Sequence, residues 1–150
     1  DLILSPAIFG DYYHGQMAKA FLGYTPVQLN CEFVAAFTTN AANETATAIG
    51  LVEDGGSPIT ANDALAMIFS DGTNFGLRSG AAADVGAAKD VSFHTWLIQI
   101  TAAAVEWFID GTSQGTIALE TDEFPVAFGA GIVAAGTNRI SLGPVHIWYS

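Results

Sequence analysis

Residues 104–119 read AVEWFIDGTSQGTIAL. Val105, Trp107 and Ile109 alternate with Glu106 and Phe108, Asp110-Gly111 interrupts the run, and a second apolar stretch follows. Such alternation around Asp-Gly marks a β-hairpin, because both central residues of the tight turn need a positive φ that Asp and Gly tolerate. Side chains two residues apart share a face of a strand, so Val105, Trp107 and Ile109 point to a core. Glu106, Phe108 and Asp110 point the other way. Glu106 and Asp110 are separated by roughly 13 Å of extended strand, too far for a catalytic carboxylate pair on one bond. Asp110 is better explained as the first residue of the turn. Phe108 is the odd residue, an aromatic on the face that water should claim.

Outward from the hairpin, the chain continues as short apolar runs divided by Gly, Asn, Asp and Thr. Strands are expected at Glu32–Thr39, Thr47–Val52, Leu65–Ser70, Asn74–Ser79, Phe93–Thr101, Val126–Val133 and Arg139–Tyr149. Asp71-Gly72-Thr73 makes a second hairpin turn, and Gly143-Pro144 inside the last run calls for an edge or a bulge. The stretches EDGGSP (53–58) and GAAADVGAAKD (80–90) read as loops. Helical signals are confined to a short segment from Gln16 onward and one turn at Ala61–Ala66. Many short strands with regular turns predict an all-β fold: a single antiparallel two-sheet β-sandwich over residues 1–150, with residues 1–30 as an N-terminal arm or extension.

The chain has 150 residues, 51% hydrophobic and 13% charged, with a mean hydropathy of +0.38. That is apolar beside the usual charged fraction of about 25%, yet no run approaches the roughly 20 apolar residues of a membrane helix. Lys19, Arg78, Lys89 and Arg139 are the only Lys and Arg residues, and the formal charge is −11. A surface this acidic repels phosphate backbones and anionic lipids, which excludes nucleic acid and membrane as partners. Cys31 is the single cysteine, so neither an internal disulfide nor a cysteine metal cluster can form. Asn43-Glu44-Thr45 fits a glycosylation sequon, and a first residue of Asp1 suits a processed chain or a fragment.

The stretch from His94 to Gly115 (HTWLIQI followed by AVEWFIDGTSQG), together with the terminal VHIWYS, resembles the concanavalin A-like lectin/glucanase superfamily of jelly-roll sandwiches. The resemblance covers about a third of the chain. It implies that Trp96, Ile98, Ile100, Val105, Trp107 and Ile109 pack between the sheets, the assignment that period-two alternation gives independently.

Catalytic members of that superfamily carry E-x-D-x-x-E on one strand. The nearest stretch here, Glu120-Thr121-Asp122-Glu123-Phe124-Pro125, has proline where the third acid belongs. No serine sits in a G-x-S-x-G context. His14, His94 and His146 have no histidine neighbour at zinc-binding spacing. Asp71-Gly72-Thr73-Asn74 and Asp54-Gly55-Gly56 offer oxygens to Ca²⁺ without the spacing of a dedicated loop, so calcium is the one cofactor the sequence admits. The expectation is therefore a protein with no catalytic residues and no enzymatic activity.

Two other roles fit the residues. Leu97, Phe108 and Trp148, with His146 beside them, fall on the outward face, and an outward apolar patch marks an interface. Joined to the resemblance, this favours a virion structural protein (capsid decoration, turret or tail) that self-associates and contacts other virion proteins. The alternative is a secreted or surface lectin-like module, with Tyr12, Tyr13 and His14, helped by Asn74 or Arg78, meeting a glycan. Either role places the chain in a virion or outside the cell.

Overall fold

A computed structural model describes residues 2–4, 12–16, 28–37, 47–53, 63–101, 103–119, 126–132 and 139–149. Its strands are β1 (Leu2–Leu4), β2 (Tyr12–Gln16), β3 (Leu29–Phe37), β4 (Thr47–Glu53), β5 (Ala64–Ser70) and β6 (Asn74–Ser79). They continue with β7 (Ala82–Ala88), β8 (His94–Ile100), β9 (Ala104–Ile109), β10 (Thr112–Ala118), β11 (Val126–Ile132) and β12 (Ile140–Tyr149). One six-stranded sheet has the order β1-β12-β3-β8-β9-β10, the other β2-β11-β4-β5-β6-β7, and the pairings are antiparallel. The fold is the expected antiparallel jelly-roll sandwich.

The core lies between the sheets. Phe33, Trp96, Ile98, Trp107 and Val105 from the first sheet meet Ile49, Leu51, Ile68, Phe75 and Phe128 from the second, all nearly or wholly buried. Trp96 is the hub: the rings of Phe75, Phe37 and His94 stand edge-on to it at 4.9, 5.7 and 5.8 Å between centroids, and Phe33 stacks at 6.4 Å. Its indole N–H donates to the Ala35 carbonyl at 3.1 Å, so the ring is buried without an orphaned polar group. Burial also pushes the Cys31 thiol far above its ordinary range, which makes it an inert packing group.

The second sheet is buried on its other face as well. Ala48, Val52, Ala64, Met67 and Phe69 form a separate apolar cluster, and every residue of β5 is buried. Arg78 lies over the Phe69 ring, its guanidinium carbon 5.0 Å from the centroid.

On one flank the two sheets are stitched together. Ala87 of β7 donates its N–H to the Gln114 side chain of β10 at 2.9 Å. Gly86 lies so close to the Trp107 ring that an added Cβ would sit 2.7 Å from it.

Two expectations are corrected here. Residues 82–88, read as a loop, form β7: alternate residues face Trp107 and Gln114, although Ala and Gly give no apolar alternation to reveal it. The helical turn at Ala61–Ala66 gives way from Ala64 to β5, where an apolar run can be buried on both faces. Gln16 closes β2, and the remainder of that helical segment lies outside the described residues, as do Asn43, the Asp54-Gly55-Gly56 turn and Glu120–Pro125. Gly143-Pro144 falls at a register shift between Leu142 and Val145, on a strand paired on both sides, so the bulge is the resolution.

Candidate functional site

The first sheet keeps its outward face only half-buried, and register aligns its residues into rows. One row runs His146, Glu32, Leu97, Phe108, Ser113 across β12, β3, β8, β9 and β10. The next runs Trp148, Asn30, Gln99, Glu106, Thr116 across the same strands. At about 4.8 Å per strand, each row is about 19 Å long.

The second row carries the polar chemistry. Asn30 is 2% exposed, and its side-chain oxygen accepts from Gln28 Nε2 at 2.7 Å and from Gln99 Nε2 at 3.0 Å. Glu106 Oε1 accepts from the Ser113 hydroxyl at 2.7 Å. Gln28, Gln99, Thr101, Ala104, Glu106 and Thr116 line an open cleft of about 130 Å³ at this end of the sheet. The other end of the row is aromatic, with the His146 and Trp148 rings stacked at 4.6 Å between centroids and 23° between planes.

The four residues expected at an interface, Leu97, Phe108, His146 and Trp148, therefore share one face, with Leu97 and Phe108 directly paired. The five glycan candidates are not gathered. Tyr12, Tyr13 and His14 lie in β2 at one edge of the second sheet, whereas Asn74 and Arg78 lie in β6, four strands along. Asn74 shapes the turn, donating its backbone N–H to Asp71 Oδ1 at 2.6 Å, and Arg78 is 5% exposed. Gln28, Asn30 and Gln99 went unread in the sequence. Gln99 offered a signal, a polar residue at an outward position of an otherwise apolar strand, but its partners are distant in sequence and only register joins them.

His94 has a different task. Its Nδ1 is 2.6 Å from Asp110 Oδ2 and its Nε2 2.9 Å from Asp90 Oδ1, so both ring nitrogens are engaged. Asp110 also accepts the Thr95 N–H at 2.8 Å through Oδ1, returns its own N–H to the Thr95 carbonyl at 2.8 Å, and holds φ at +49°. This clamp ties the hairpin turn to the start of β8. Burial alone would pull the imidazole below its ordinary 6.5, but hydrogen bonds to Asp110 and Asp90, with their charges, hold it above. Hydrogen bonding to His94 and to backbone N–H groups holds both aspartates below 3.8. Stability from a raised imidazole is complete below pH 6.5 and is lost as pH climbs through the folded value; stability from the lowered carboxylates is present above pH 3.8 and is lost on acidification. A urea-denaturation series against pH is expected to show stability declining as pH rises above 6.5, a decline that His94→Gln abolishes. An unchanged decline in the variant would refute the clamp as its source.

Asp71 spends its carboxylate on its own turn, accepting from Thr73 and Asn74 N–H groups at 2.8 and 2.6 Å. Among the described residues no three His, Cys, Asp or Glu side chains gather as metal ligands, and no helix is long and apolar enough to cross a membrane.

Two antiparallel sheets packed face to face make a jelly-roll β-sandwich, and solved structures share that fold. The alginate lyase from Corynebacterium sp. is similar at TM-score 0.58 and 16% identity, over 82% of this chain and 59% of the lyase. The carbohydrate-binding module CBM66 from Bacillus subtilis is similar at 0.50 and 13%, over 93% of this chain and 81% of the module. The binding domain of botulinum neurotoxin serotype D is similar at 0.63 and 9%, over 97% of this chain and 38% of that one. No family model matches the sequence, and no curated protein matches it. At these identities the likeness establishes the fold, and the chain spans about three-fifths of the lyase.

The comparison corrects the expectation that the chain is not an enzyme. Alginate lyases stand among its structural neighbours, so the lack of E-x-D-x-x-E on one strand does not exclude catalysis. A constellation assembled across strands by register, as in the rows above, leaves no such motif.

Proposed function

We propose that this chain is a lectin-like carbohydrate-binding module that holds a glycan along the outward face of the β1-β12-β3-β8-β9-β10 sheet. The observation that carries the reading is the row from Trp148 through Asn30 and Gln99 to Glu106 and Thr116. It joins an aromatic platform to an ordered set of amides and a carboxylate beside an open cleft. Sugars present apolar C–H faces and hydroxyl edges, and such a row meets both. The carbohydrate-binding module among the neighbours supports the same reading, and an extracellular or surface location accords with it. A virion role draws no comparable support.

A glycan array tests the proposal. Trp148→Ala and Gln99→Ala should each weaken binding by about tenfold or more, the effect of losing one good contact, while thermal unfolding stays unchanged. Tyr12→Ala and Tyr13→Ala should bind as the parent does. If the array is blank, or if only the Tyr12 and Tyr13 variants lose binding, the site is not on this face.

A further inference from the structure

We infer that the outward face of the first sheet selects uncharged, hydroxyl-rich saccharides and rejects acidic ones. The inference rests on the carbohydrate-binding reading and adds the ligand's charge.

The ionisable side chains on the two rows are Glu32, Glu106 and His146. None of the described Lys or Arg residues joins them. Arg78 is buried on the other sheet over Phe69. Lys89 follows β7, also in the other sheet. Arg139 precedes β12 at the end away from Trp148, nine residues or about 30 Å of extended strand. Lys19, the fourth, lies outside the described residues. A sugar carboxylate laid along the row would meet carboxylates and no described cation, within a chain of net charge −11.

The hydrogen-bonding polarity points the same way. Gln28 and Gln99 each give one amide N–H to Asn30 and keep a second N–H and the carbonyl oxygen. Glu106 gives one oxygen to Ser113 and keeps the second. The cleft wall is thus rich in acceptors, with the Thr116 hydroxyl as a flexible donor, while Thr101 gives its hydroxyl proton to the Ala104 carbonyl at 3.3 Å. Acceptors need donors. A neutral saccharide supplies a hydroxyl donor at almost every carbon, whereas a uronate brings an acceptor-only group to an acceptor-rich wall.

Calorimetric titration of the full chain with matched oligosaccharides decides the matter, using neutral glucans and fructans, alginate oligomers, and de-acetylated amino-sugar oligomers. Neutral oligomers should bind at least about tenfold more tightly than alginate oligomers, with an affinity that hardly changes between about 0.05 and 0.5 M salt. Glu106→Gln, which keeps the shape and removes the charge, should narrow that gap about threefold or more. Alginate binding as tight as neutral binding, and lost in Gln99→Ala, would overturn the charge selection and leave the carbohydrate reading standing. Preference for the cationic oligomer that collapses in salt would overturn it too. Failure of every oligomer to bind would remove the carbohydrate reading itself.

Discussion

Trp96→Ala is expected to cost about 3–5 kcal/mol, a large part of the about 5–15 kcal/mol that stabilises a domain of this size. Trp96 is fully buried, and the rings of Phe33, Phe37, Phe75 and His94 close round it. Truncation opens a cavity whose walls belong to three strands held in both sheets, so they can close in only partly. It also leaves the Ala35 carbonyl without its indole donor. Chemical denaturation should show the midpoint falling with an unchanged slope. A loss below about 1 kcal/mol would mean that Trp96 is not the hub of the core. Trp148→Ala is the companion variant, since an indole on the outward face should affect ligand and leave stability alone.

Gly50→Ala should be nearly as damaging, by a different route. Gly50 holds φ at +149°, a conformation L side chains rarely adopt, and an added Cβ would collide with the Ala66 carbonyl oxygen of β5. The obstacle is backbone of β5, held between β4 and β6, and Gly50 itself is paired on its other side with Gly129 of β11, so neither strand can swing aside. Backbone strain of about 1–3 kcal/mol adds to a similar overpacking term. Gly111→Ala separates the two. That residue has φ +79° and nothing within 4 Å of the added carbon, so the backbone term alone applies. Equal losses in both variants, read from the same denaturation curves, would show that the close approach at Gly50 is relieved.

The hairpin and the inward faces were legible because period two is a local signal: Val105, Trp107 and Ile109 are buried as their spacing implies. β7 was not legible, because its packing uses the absence of side chains at Gly86 and the partner it meets is 21 residues or more away in Trp107. The candidate site was half legible. Trp148 and Phe108 stand out from one strand's pattern, but the Gln28–Asn30–Gln99 network exists only once β3 and β8 are brought into register across 69 residues of sequence. Asn30 lies ahead of the strand expected from Glu32, yet it is the nearly buried acceptor that orients two amides.

The stitched flank bears on how copies of this protein can meet. An edge strand with open N–H and C=O groups is a template for an incoming strand, which needs about 4.8 Å of clear space beside it. Where Gly86 backs onto Trp107 and Gln114 holds the Ala87 N–H, that space beside β7 is already filled by the protein's own first sheet. Addition of a further strand is therefore obstructed where Gly86 and Ala87 meet Trp107 and Gln114, on a chain half made of apolar residues.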